Sequence, residues 1–225
     1  MLLNSEWAKR FTQACGALRH VRRRSLAANE TLYLTLPVDQ CWIVAAGYVK
    51  LIDPLADGNR LVRLILGPGG LFGDRPFGTT AFRGFAAPPQ EQAISHGPAE
   101  ALLISRDELE TAAHKDQSFA ELLLQSSTTR AQFLERRLLW QCATPVRTRV
   151  AMALRDLICF EGDRCRHGHA IDIRLTHQDL AELIGMARPV VSAELVRLRN
   201  EGLIAYTRSY FCVDDLAGLD RLARL

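Results

Sequence analysis

The chain has 225 residues, 48% of them hydrophobic and 24% charged, with 28 Lys and Arg against 25 Asp and Glu for a formal net charge of +3. That length holds one large or two modest domains with real cores, and the charge balance excludes a disordered chain. The net charge alone does not argue for a nucleic-acid partner. With no signal peptide and no run of eighteen apolar residues, a membrane role has no support and a cytoplasmic protein is expected. The cysteines at 15, 41, 142, 159, 165 and 212 form no short-range framework, so reduced thiols are expected.

In chain order, Trp7, Phe11, Ala14 and Leu18 recur at helical spacing and predict a lead-in helix over residues 1–20. Arg22-Arg23-Arg24 reads as a solvated edge. Between Ser25 and Ser105 short alternating stretches (31–36, 41–44, 48–52, 61–66, 100–104) are divided by Gly, Pro, Asn and Asp, the texture of a β-roll or barrel. Pro88-Pro89-Gln90 marks an exposed turn, and Ser105 followed by Asp107 and Glu108 caps a helix.

Residues 118–141 contain neither Gly nor Pro and predict one long helix. Ala120, Leu124, Ser127, Ala131, Leu134, Leu138 and Gln141 repeat at 4-3 spacing, a seam for a two-fold coiled coil, while Phe119, Leu123, Phe133 and Trp140 form a second apolar face. Two apolar faces on one helix favour a dimer. Thr144-Pro145 reads as an N-cap with Pro at the first helical position, starting a helix over 146–160. A loop over 162–168 and a strand over 170–175 follow. The expected domains are a sensor roll over 1–113, a dimerisation helix over 114–142 and a DNA-binding domain over 143–225.

The most informative stretch is 176–204. Thr176 supplies a hydroxyl N-cap, with Asp179 in the first turn. Leu180, Leu183 and Ile184 form an apolar stripe, Ala181 is small enough for a close helix crossing, and Gly185 can take the φ > 0 of a tight turn. Arg188-Pro189 opens a second helix that buries Val191, Leu195 and Leu198 and ends at Gly202. Residues 203–206 and 210–213 flank a 207–209 turn as a two-stranded wing, and 214–225 form a short amphipathic helix. A helix-turn-helix with a wing is a major-groove reader with a backbone clamp. Arginine crowds this third of the chain (147, 149, 155, 164, 166, 174, 188, 197, 199, 208), which suits a phosphate backbone.

The order of these parts resembles the CRP/FNR superfamily of bacterial transcription regulators over nearly the whole chain. The specific pieces are 44–51, Asp57-Gly58-Asn59-Arg60, Leu66-Gly67-Pro68-Gly69-Gly70-Leu71-Phe72-Gly73 and the helix-turn-helix. The resemblance implies an α+β fold: an N-terminal β-roll (double-stranded jelly roll) sensor, a long dimerisation helix with Leu124, Ser127, Ala131, Leu134 and Leu138 at the interface, and a C-terminal winged helix-turn-helix. It implies a homodimer on a palindromic double-stranded operator, with RNA polymerase as a partner if the protein activates. Carried onto this chain, the DNA-binding set is Thr176, His177, Gln178, Arg188, Pro189, Val190, Ser192, Arg197, Arg199 and Arg208. Pro189 and Ala193 stand where family members often carry Glu and a further Arg, and Glu194 stands where an apolar residue is usual.

Cyclic-nucleotide binders resemble one another in an Arg-Ser/Thr pair that residues 74–84 lack, and Leu134-Glu135 replaces their adenine-contacting Thr-Ser, so cyclic AMP is not the expected ligand. The cyanobacterial nitrogen-control branch, which senses 2-oxoglutarate, is nearer. Its pattern maps onto Phe72, Gly73, Asp74, Arg75, Arg83, Arg130 and Glu135, a set whose arginines and backbone N–H groups suit a small dicarboxylate. Two alternatives stay open: a roll that serves only as a scaffold, and a metal or redox sensor. Cys159, Cys165, His167, His169 and His177 lie close in sequence, but C-x5-C-x-H-x-H is no known zinc pattern, and Cys15 alone cannot hold an iron–sulfur cluster. No metal or cofactor is expected. Nucleophile triads, phosphate loops and paired catalytic carboxylates are absent from the sequence, so an enzyme is not expected.

Overall fold

The computed structural model describes residues 5–33, 39–74, 77, 91–158, 164–165, 168–171, 173–207 and 210–223. The chain divides into two compact units, Met1–Gln132 and Phe133–Leu225.

The first unit opens with α1 (Ser5–Gly16). Trp7, Phe11 and Cys15 share its inner face, with the Trp7 and Phe11 rings stacked at 5.1 Å. Then come β1 (Arg22–Leu26), β2 (Thr31–Tyr33), β3 (Gln40–Ala46), β4 (Val49–Pro54), β5 (Arg60–Leu66), β6 (Leu71–Gly73), β7 (Gln92–Ser95) and β8 (Ala99–Ser105). They form two antiparallel four-stranded sheets, β1-β8-β3-β6 and β2-β7-β4-β5. Tyr33 of one sheet stacks on Phe72 of the other at 6.3 Å, so the roll closes through aromatic rings. The Arg22–Arg24 run is the exposed part of an edge strand, with Arg23 paired to Glu100 on β8 at 2.8 Å.

Ser105 accepts the Glu108 N–H and starts α2 (Arg106–Lys115). Asp116 ends that helix and, by accepting the Ser118 N–H at 2.8 Å, caps α3 (Gln117–Ala143). Along α3, Phe119, Leu123, Ser126, Arg130, Arg137 and Trp140 are buried. Leu124 and Leu138 are 67% and 61% exposed.

The second unit continues with α4 (Val146–Leu157). Its N-cap is Pro145 rather than Thr144, because the Thr144 hydroxyl turns back and donates to the Trp140 carbonyl at 2.8 Å. Next are β9 (Arg164–Cys165), β10 (Gly168–Ile171), α5 (His177–Ile184), α6 (Arg188–Asn200), β11 (Ile204–Tyr206), β12 (Phe211–Val213) and α7 (Leu216–Leu222). The strand expected over 170–175 begins earlier and stops at Ile171, leaving residues 173–176 as the approach to the α5 cap. The wing is also wider than two strands, because β10 pairs with β12 in a β11-β12-β10-β9 sheet. Cys212 on β12 is disulfide-bonded, where sequence spacing predicted reduced thiols; strand pairing brings together stretches far apart in the chain. Cys15, Cys41 and Cys142 are free thiols. Among the described residues no helix is long and apolar enough to cross a membrane.

Candidate nucleic-acid interface and effector site

At the start of α5 the Thr176 side chain accepts the Asp179 N–H at 3.1 Å, and the Asp179 carboxylate accepts the Thr176 N–H at 2.9 Å. This reciprocal capping box engages two N–H groups that a helix start would otherwise leave unsatisfied. Its position fixes where α5 begins, and so where the turn falls. Gly185 ends α5 in the left-handed region (φ 66°, ψ 42°), which a residue with a Cβ reaches only with strain. α6 starts at once, with Pro189 in its first turn and Val191, Leu195 and Leu198 fully buried.

The structure sorts the predicted DNA-contacting residues into two groups. Thr176 is committed to its cap. His177 Nδ1 lies 2.9 Å from Ser192 Oγ, and its ring meets Tyr206 edge-on at 5.2 Å, so it ties α5 to both α6 and the wing. Gln178 donates to Glu182 at 3.1 Å. By contrast Arg188, Pro189, Val190, Arg197 and Arg199 are exposed along α6, and Ala193 and Val196, which are outside the predicted set, are exposed beside them. Glu194 is buried and accepts from Arg197 at 2.6 Å, so the helix register read from the sequence holds with a carboxylate at an inward position. Arg208 lies outside the described residues.

The arginine-rich third is less available to phosphate than its composition suggests. Arg147 grips both carboxylate oxygens of Glu201, Arg155 donates to Asp220 at 2.6 Å, and Arg136 pairs with Asp156. Arg174 and Arg199 lie over the rings of Tyr210 and Tyr206, each at 5.1 Å. Ion pairs bridging 54 or 65 positions of sequence, as for Arg147 and Arg155, leave no local signature. Arg188, at the first position of α6, has no carboxylate partner among the described residues.

Burial, then the positive charge of Arg188, holds the His177 imidazole below its usual range. The unfolded chain therefore protonates first as the pH falls, and stability drops as pH declines through about 6.5. Denaturant unfolding at pH 7.5 and 5.5 should show this loss, and His177→Gln should reduce it. An unchanged difference in that variant would mean that other histidines carry the effect.

In the roll, Phe72 is buried between Tyr33 and Trp42, with both ring centroids at 6.3 Å. Gly73 has φ 84°, and a Cβ there would lie 2.4 Å from the Gln40 carbonyl oxygen. The next N–H, of Asp74, donates to that same oxygen at 2.8 Å, and the Asp74 carboxylate accepts the Asp39 N–H at 2.8 Å. Arg130 is buried and donates to the Leu71 carbonyl at 3.0 Å. Glu135, five positions further along α3, is exposed, as a 3.6-residue repeat requires of a residue well over a quarter-turn away. Arg75 and Arg83 lie outside the described residues.

Sequence reasoning missed a charged cluster on the sheet facing Phe72. Arg63 donates to Asp53 at 2.9 Å and to Glu91 at 2.6 Å, and the Tyr33 hydroxyl donates to Glu91 at 2.5 Å. Burial and the Glu91 charge raise the Tyr33 phenol well above its ordinary value, with Arg130 and Arg63 opposing. The available signal was an arginine in the apolar run Leu61–Leu66. Of the Cys/His stretch, Cys159 and His167 lie outside the described residues, as does the side chain of Cys165. Among the described residues no three His, Cys, Asp or Glu side chains gather as metal ligands.

Comparison with known proteins agrees with this architecture. Residues 148–222 match the family described as the Crp-like helix-turn-helix domain. The transcriptional regulator LdrP of Thermus thermophilus is 29% identical over 209 residues, covering 89% of this chain and 96% of its own. The global nitrogen regulator of a Nostoc species is 24% identical, over 86% of this chain and 85% of its own. The solved structure of FixK2 from Bradyrhizobium japonicum superposes with a TM-score of 0.75 at 19% identity, covering 92% of this chain and 99% of that one. Residues 148–222 thus form a Crp-like helix-turn-helix domain, and over most of its length the chain, with a jelly roll, a long helix and a winged helix-turn-helix in that order, is similar to transcription regulators of the CRP/FNR type.

Proposed function

We propose that the protein is a homodimer that binds a palindromic DNA operator and regulates transcription from it. The observation that carries this reading is the capped α5–turn–α6 unit, whose second helix keeps one face buried while its N-terminal turns project Arg188, Pro189 and Val190 outward. Recognition helices place such N-terminal residues against base edges in the major groove. Dimerisation is supported by the exposed Leu124 and Leu138 on the predicted seam of α3. Selection of binding sequences from a random duplex library with full-length protein tests the reading. It should return inverted half-sites about one helical turn apart, bound with an affinity that falls steeply with salt. Recovery of no preferred sequence counts against it.

For the effector, a small dicarboxylate of the 2-oxoglutarate type is supported by the buried Arg130 guanidinium beside Leu71 and by the similarity to a global nitrogen regulator. A scaffold-only roll is favoured by a different observation: Arg63 already serves Asp53 and Glu91, and the Asp74 N–H already serves Gln40. Melting temperature against 2-oxoglutarate separates the two, with cyclic AMP in parallel because a similar protein is named as cAMP-activated. A ligand at a hundredfold over its dissociation constant stabilises by about 2.7 kcal/mol, a rise of several degrees. The dicarboxylate reading expects a saturable rise that Arg130→Ala abolishes. Flat curves at millimolar concentration of both ligands favour the scaffold.

A further inference from the structure

The outward face of α6 has an unusual chemistry for a surface that meets DNA. Pro189, Ala193 and Val196 follow one another at helical spacing along its crest, and Val190 flanks them. Val190 and Val196 are 40% and 39% exposed, and Ala193 is exposed between them. Helix propensity does not explain two solvent-facing valines, because β-branching costs side-chain freedom in a helix. Packing does not explain them either, since the core of this unit is met by Val191, Leu195 and Leu198 on the opposite side. Cations border the ridge: Arg188 at its N-terminal end and, towards its C-terminal end, Arg197, which is paired with Glu194, and Arg199, which lies over the Tyr206 ring.

A ridge that is apolar along its crest and cationic at its margins matches a major groove whose floor carries methyl groups between two phosphate backbones. In that groove thymine is the base that presents an apolar group, its C5-methyl, and aliphatic side chains recognise it by contact. The small Ala193 lets the helix approach closely. We propose that this regulator reads thymine C5-methyl groups in its half-sites, with Val190 and Val196 as the specificity-determining residues on either side of Ala193.

The proposal rests on the DNA-binding reading above, and the experiment separates the two. Operators selected with full-length protein are resynthesised with each thymine replaced singly by deoxyuridine, which removes one methyl group and keeps the base pair. Affinity should fall about fourfold for each methyl that meets the ridge in one half-site, the effect of exposing one buried carbon group. Val190→Ser should abolish the penalty at one thymine position while leaving it at others, a coupling that general weakening does not produce. Because Val190 is exposed, the substitution leaves the core intact. A selected operator that tolerates deoxyuridine at every position overturns the methyl-reading proposal and leaves DNA binding standing. If no sequence is selected, the DNA-binding reading itself fails, and the proposal with it.

Discussion

Arg188→Ala is expected to lower operator affinity and raise fold stability. Arg188 occupies the first position of α6, exposed and without a carboxylate partner among the described residues. A cation at a helix N-terminus opposes the macrodipole, so removing it should gain about 0.3–1 kcal/mol. It also depresses the His177 pKa, so the pH at which stability begins to recover should shift upward in the variant. On DNA, a bidentate arginine–guanine contact is worth about 1–3 kcal/mol of discrimination. A dimer makes that contact in both half-sites, so the operator should bind between roughly 30-fold and 10⁴-fold more weakly. Fluorescence anisotropy at fixed salt and urea unfolding give the two numbers. If non-specific DNA loses affinity to the same extent and the salt slope falls by about one per site, Arg188 holds phosphate instead of base. If stability falls with affinity, the residue has a structural role that its exposure hides.

The same residue shows how much of this molecule was readable in the chain. The helix-turn-helix was legible because its determinants are local: Thr176 and Asp179 lie three apart and make the capping box, and Gly185 supplies the φ of 66° that the turn demands. The aromatic, apolar and small residues of α1 and α3 were equally legible as helical periodicities. Strands β1, β6 and β7 were not, since Arg22–Leu26 carries no alternation and Leu71–Gly73 is only three residues long. Such strands exist because a neighbour pairs with them, β8 with β1 and β3 with β6. Charge followed the same rule. Composition suggested an arginine-rich DNA surface, yet Arg147 and Arg155 find carboxylates more than fifty residues away. What the fold leaves outward on α6 is therefore a residue that helix electrostatics disfavours, Arg188, next to aliphatic side chains that have no core to fill.

The proposed dimer supplies the second large effect. Leu124 and Leu138 are fourteen positions apart, two heptads, which returns them to one side of α3 in a two-stranded coil. Both are more than half exposed, while Phe119, Leu123 and Trp140 on the other side are buried. Burying one leucine fully contributes about 1.5–3 kcal/mol, and a two-fold seam buries each of these residues twice. Replacing both with glutamate removes that gain and forces carboxylates towards each other, so Leu124→Glu/Leu138→Glu should sediment as a monomer with an unchanged far-ultraviolet circular dichroism spectrum. Its operator affinity should fall by about 10²–10⁴, because the second half-site is no longer held at high effective concentration. Leu139→Glu is the control, since Leu139 is 58% exposed but about 100° around the helix from Leu138. It adds one such carboxylate to α3 away from the seam and should leave the dimer in place. Equal dissociation by the control and the double variant would show that charge on α3, and not the seam, breaks the dimer. A wild-type protein that sediments as a monomer would remove the basis for a two-fold operator altogether.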